Sequence, residues 1–186
     1  TAAPAVAHEL VHALQDQLVS LDSLVGRERG NDRQMAAQAA AEGHATLVML
    51  VMQAEETMGQ RIDPGTLPDL SGLLGPATEA QNAQYPVFAR APRLIRETML
   101  FPYVAGAGFV QELHRATVAA RPVVPFGDDL PHSTEQVMNP RGRFLGERDA
   151  PTEIRLEPVA AGWSVVHENT LGQLEVSILL AEHLGT

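Results

Sequence analysis

The sequence predicts a mainly helical, α+β fold with a minor β component, in which a short histidine-bearing helix packs against a longer glutamate-bearing one. Three observations carry this. Apolar residues recur at helical spacing over residues 3–20, and an Ala-rich stretch continues helically from about Arg33 to Met58. Glycines and prolines then punctuate residues 59–92 and 121–152 densely. Only two short stretches near the end, Thr152–Pro158 and Trp163–Glu168, have the look of strands.

Each element follows from local signals. Pro4 suits a first helical turn, and Val6, Leu10, Ala13, Leu14 and Leu18 set the helical period behind it. Gly26 and Gly30 mark a loop over 21–31, after which Asn31 or Asp32 can cap the second helix. That helix carries one internal glycine, Gly43, and its stretch Thr46–Met52 is apolar nearly all round, as in a helix at a domain centre. Residues 59–92 read as loop with one or two short helices. Leu94–Leu100 and Ala107–Ala119 read as helices separated by a break at Phe101-Pro102-Tyr103. Residues 121–152 form a Pro/Gly-rich crossing. The two strands flank a turn at Ala161-Gly162, with Trp163 packing from a strand, and a last helix covers Leu171–Leu184.

Composition narrows the function. The 186 residues suit one ordinary domain, and 45% hydrophobic content suits a globular chain. Thirteen basic residues against 23 acidic ones leave a formal charge of -10, which disfavours nucleic acid and anionic membranes as partners. With no cysteine, disulfides, thiolate zinc sites, Fe–S clusters and Cys nucleophiles are excluded. No apolar run approaches the roughly 20 residues of a membrane-spanning helix.

The chemistry concentrates at His8-Glu9-Leu10-Val11-His12, an H-E-x-x-H pattern on the first helix. Residues at i and i+4 share one helix face, so both imidazoles can reach one zinc ion. Glu9 points off the metal axis and is placed to take a proton from a water. Composition alone would produce the pattern in roughly 2% of such chains. A catalytic zinc needs a third protein ligand. Gln15 and Leu18 stand where the metzincin pattern requires Gly and His, so that continuation is absent. Glu42, an acid in a largely apolar helix with small neighbours, is the candidate; the alternative is a glutamate facing solvent. Asp16, at i+4 from His12, is the candidate acceptor for that histidine's second ring nitrogen. His44, two residues from Glu42, points about 160° away round the helix. His114, His167 and His183 read as structural or surface residues. Glu135 either holds a cleft-lining segment or belongs to a plain Ser/Thr turn.

The segment His8–Gln17, followed by Glu42-Gly43-His44-Ala45-Thr46, resembles the gluzincin-like zinc metallopeptidases. Phe101-Pro102-Tyr103, Ser133-Thr134-Glu135-Gln136 and Glu168-Asn169-Thr170-Leu171-Gly172 resemble segments of poorly characterised bacterial members. The resemblance implies one zincin-like metallopeptidase domain over 1–186 that hydrolyses peptide bonds in a protein or peptide substrate. Its expected centre is Zn2+, with Mn2+ a possible substitute, held by His8, His12 and Glu42. Glu9 is then the general base, and a Tyr or His from a later segment stabilises the oxyanion; Tyr103, His132 and Tyr85 are the candidates. The thermolysin group places a β-sheet before the HExxH helix. Only seven residues precede His8 here, so an N-terminal segment is missing or the cleft is built differently. Competing expectations are a zinc hydrolase of non-peptide substrates, a zincin-fold binding domain without catalysis, and an iron site of two histidines and one carboxylate.

Overall fold

The computed structural model describes residues 3–26, 30–82, 84–117, 123–152 and 154–185. Among them the chain forms α1 (Ala3–Leu18), α2 (Leu21–Leu24), α3 (Asn31–Met58), α4 (Leu70–Asn82), α5 (Pro86–Ala89), α6 (Arg93–Ala116), α7 (Thr134–Met138) and α8 (Gln173–Leu184). Short 3₁₀ turns lie at Pro64–Thr66 and Gly127–Asp129, and a π-turn covers Pro140–Gly146. The mainly helical expectation holds. No strand forms among the described residues, and no helix there is long and apolar enough to cross a membrane.

Helices α3 and α6 make the centre, and alanine is the reason they can. Ala36, Ala39, Ala40 and Ala45 of α3 are fully buried, as are Ala107 and Val110 of α6. A Cβ on Gly43 would run into the Gly106 carbonyl and the Ala107 nitrogen, so the two backbones touch at this crossing. Phe101, Phe109, Leu113, Val137, Phe144 and Ile178 fill the space around it. Helix α1 lies along α3, while α4, α7 and α8 pack on α6. Three buried polar side chains tie the loops down. Gln111 accepts from Leu70 N (3.1 Å) and donates to the carbonyls of Pro64, Leu67 and Pro68. Asp32 Oδ1 accepts from Thr134 N (2.9 Å) and Thr134 Oγ1 (2.6 Å), and that hydroxyl accepts from Leu174 N (3.1 Å). Gln136 donates to Asp149 O (2.6 Å) and accepts from His132 N (2.7 Å).

Three expectations are corrected. Phe101-Pro102-Tyr103 does not break the helix: α6 runs through Pro102 without interruption. A mid-helix proline ordinarily costs about 3 kcal/mol, but Phe101 and Pro102 are buried and the packing of α6 on α3 outweighs local preference. Residues 118 and 119 of the expected Ala107–Ala119 helix lie outside the described residues. The two stretches read as strands carry neither helix nor strand over 154–172. Their turn is present, with Trp163 N donating to Ala160 O (3.0 Å) and Gly162 at φ +90°. What they lack is a surface to face: Ile154 and Trp163 are each more than three-quarters exposed, so Trp163 is not a packing residue. A two-stranded hairpin alone is marginal in water. The one or two short helices expected within 59–92 are α4, which runs through Pro76, and α5.

Candidate metal centre

Helix α1 turns one face to α3. His8, His12 and Gln15 lie on it, and Glu42 of α3 reaches back between the histidines. His8 Nε2 and Glu42 Oε2 are 3.1 Å apart, His12 Nε2 and Glu42 Oε2 3.2 Å, and the two Nε2 atoms 3.1 Å. The three atoms thus form a nearly equilateral triangle. Ligands about 2.0–2.1 Å from a tetrahedral zinc stand about 3.3–3.4 Å from one another, so the triangle has close to the size of one tetrahedral face. Two imidazole nitrogens and a carboxylate oxygen are also the donor types zinc prefers. His8, His12 and Glu42 are the one group of three or more His, Asp or Glu among the described residues spaced to hold a metal. The three side chains are 13%, 20% and 19% exposed, so a ligand can reach the triangle from solvent.

A second observation fits a bound group. Thr46 Oγ1 is the buried side-chain polar atom without a hydrogen-bond partner among the described residues. Thr46 lies one turn beyond Glu42, about 40° round the helix from it and about 60° from Gly43. Glu42 faces α1 and Gly43 faces α6. The orphaned hydroxyl is therefore on the part of α3 turned to the seam between α1 and α6, the seam where His8 meets Tyr103.

The other expected residues divide. Tyr103 is at the site, its ring centroid 6.2 Å from that of His8. Burial, then the Glu42 and Glu9 carboxylates, push its phenol above the usual range, so it stays protonated at neutral pH and can donate. Glu9 is exposed on α1, outside the triangle and within electrostatic reach of Tyr103. His132 belongs to a segment anchored through Thr134 to Asp32, ten residues or about 15 Å of helix before Glu42. Tyr85 precedes α5 and is 58% exposed. Glu135 is in the first turn of α7, which Ser133 caps by accepting from Gln136 N (3.3 Å), and its carboxylate lies 3.4 Å from Arg143 Nε, away from the triangle.

Asp16 does not orient His12. Its Oδ1 accepts from Leu21 N (3.0 Å) at the start of α2, while His12 Nδ1 is 2.8 Å from Gln15 Oε1. Gln15 is 1% exposed. His44 was expected to point away, yet its Nδ1 is 3.1 Å from Gln15 Nε2, which links it to His12 through one side chain. Burial, then His114 and His12, lower the His44 pKa to about 4. Gln15 is within reach of helical geometry, since i+3 from His12 faces the same way as i+4; His44, on α3, carries no such signal.

Two cavities, of about 710 and 530 Å³, lie elsewhere, one between α6 and residues 135–143 and the other between the start of α6 and α8. Neither is lined by a member of the triad. No protein-family model, curated protein or solved structure matches the chain, so the reading of this centre rests on its own geometry and chemistry.

Proposed function

We propose that the protein is a zinc-dependent metalloendopeptidase. The observation that carries the proposal is the triangle of His8 Nε2, His12 Nε2 and Glu42 Oε2, with a carboxylate next to it in sequence and a phenol beside it in space. His8, His12 and Glu42 would hold the metal, which supplies Lewis acidity and brings the pKa of a coordinated water to about 7. Manganese can occupy the same donor set in vitro. Glu9, free of the triangle, takes the proton from the attacking water and delivers it to the leaving amine. Tyr103 keeps its hydroxyl proton at neutral pH and donates it as a hydrogen bond to the developing oxyanion. The substrate is a polypeptide, held without help from a neighbouring sheet edge among the described residues.

The test is elemental analysis of protein purified without added metal or chelator, beside Glu42→Ala. Near-stoichiometric zinc that falls sharply in the variant, together with cleavage of unfolded casein, is the expected result. Little metal, not restored by added zinc, would overturn the proposal. Zinc without cleavage of casein would move the protein to hydrolysis of another bond or to binding alone.

A further inference from the structure

Gln15 is almost wholly buried between α1 and α3, and its amide orientation can be deduced. The Ala41 carbonyl oxygen, 3.0 Å from one Gln15 amide atom, can only accept. The atom facing it is therefore Nε2, which donates. The other amide atom, 2.8 Å from His12 Nδ1, is then Oε1, which can only accept. It follows that His12 Nδ1 carries the hydrogen. In a neutral imidazole the proton is on one nitrogen, so His12 Nε2 keeps a bare lone pair. That is the nitrogen in the triangle with His8 and Glu42. The second Nε2 hydrogen of Gln15 faces His44 Nδ1 at 3.1 Å. Both ends of the amide are thus occupied, and the side chain cannot flip without setting Oε1 against the Ala41 carbonyl oxygen.

We propose that Gln15 is the positioning residue of the metal centre: it locks His12 in the tautomer that presents Nε2 to a metal, and it ties that ring to the backbone of the helix bearing Glu42. This rests on reading His8, His12 and Glu42 as the ligands. Histidine ligands usually give their second nitrogen to a carboxylate, a carbonyl or water. A side-chain amide does the same work here, and the buried Ala41 carbonyl sets its direction. A carboxylate at this place could orient His12 equally well, but it could not donate to Ala41.

The experiment compares the wild type with Gln15→Met, which keeps the length and removes the hydrogen bonds, and Gln15→Glu, which keeps the acceptor. Histidine 15N shifts of the metal-free proteins report the tautomer, and zinc titration reports affinity, with circular dichroism to verify folding. The wild type is expected to show Nδ1–H at His12. Gln15→Met should mix the tautomers and weaken zinc roughly 10- to 100-fold. Gln15→Glu should keep the Nδ1–H tautomer and recover zinc affinity in part, since its carboxylate accepts from His12 but cannot donate to Ala41. A purely structural role, through Ala41 alone, predicts that the two variants behave alike, and that outcome would overturn the proposal. So would an unchanged His12 tautomer in folded Gln15→Met. Should the wild type bind no zinc, the ligand reading fails, while the tautomer of the metal-free protein still decides the role of Gln15. If Gln15→Met does not fold, a mixed tautomer in Gln15→Glu would overturn the proposal and a retained one would support it.

Discussion

Gly43 and Gly106 meet backbone to backbone where α3 crosses α6, with no room for a methyl group on either. The residue before Gly43 is the metal-ligand candidate Glu42. The same close crossing that builds the centre of the fold therefore fixes how far Glu42 stands from α6. Gly43→Ala would push one backbone off another, and neither can yield as a flexible side chain would. We expect a loss of at least about 3 kcal/mol, the upper end for overpacking, read as a lower midpoint in urea unfolding. Gly72→Ala, in the first turn of α4 where a Cβ would make only ordinary contact with the Asp69 carboxylate, is the control. It should be neutral or stabilise by roughly 0.5–1 kcal/mol. Equal effects would show that the crossing is looser than described.

Glu9 lies outside the triangle, so removing its charge should separate chemistry from metal binding. Glu9→Gln is expected to retain zinc at the wild-type ratio and lose turnover of casein. Retained turnover would refute the general-base assignment, and lost zinc would mean that Glu9 supports the ligands.

How much of this was legible beforehand depends on what each residue needed. His8 and His12 needed only a helix. Glu42 was legible because a lone acid in an alanine-rich helix demands an explanation. Tyr103 stands where the sequence suggests a helix break, but that break does not exist: α6 continues through the buried Pro102. The sequence offers Asp16 to His12 because it stands at i+4 on the same helix face, and nothing in the pattern singles out Gln15 for that role. Burial decides otherwise: in a dry seam the amide meets three partners, His12, the Ala41 carbonyl and His44, while the Asp16 carboxylate accepts from Leu21 N. The two stretches read as strands failed for a different reason. Residues suited to strands still need a surface to pack on, and local sequence does not supply the partner.

Tyr103 is the oxyanion candidate beside the triad, and its raised pKa keeps the donor proton in place. Tyr103→Phe is expected to lower kcat by roughly 10²- to 10³-fold with a small change in KM, as removal of an oxyanion donor does. His132→Ala and Tyr85→Phe should leave kcat near wild type. A reversed pattern would transfer the role to whichever residue proves sensitive.

Asp32 joins the start of α3 to α7, and Gly172 leaves the space its carboxylate fills. Hydrogen bonds to a charged group contribute about 1.5–3 kcal/mol each. Asp32→Ala removes two and strands the Thr134 N–H, so a loss of about 3 kcal/mol or more is expected. Asp32→Asn keeps the accepting oxygen and should cost less. Urea unfolding of the two variants checks the order; equal losses would show that bulk, not acceptance, matters there.

Acid stability should fall in two stages, set by groups away from the triangle and by His44. The Arg141 hydrogen bond, followed by that of Arg115, holds the Glu112 carboxyl below its usual range against the opposing effect of burial. A depressed carboxyl stabilises the fold above its unfolded value of 4.5 and loses that contribution as pH falls through the lower folded value. His114 is lowered by burial, and His44 to about 4. The unfolded chain protonates these rings at 6.5 while the folded protein resists, so stability drops as pH falls below 6.5. Each group contributes a slope of at most about 1.4 kcal/mol per pH unit. The urea midpoint of metal-free protein should therefore be flat above pH 6.5, decline toward 4.5, and decline more steeply below. His114→Gln should shallow the first limb and Glu112→Gln the second. A midpoint that does not change between pH 7 and 5 would show that neither ring is as dry as its packing implies.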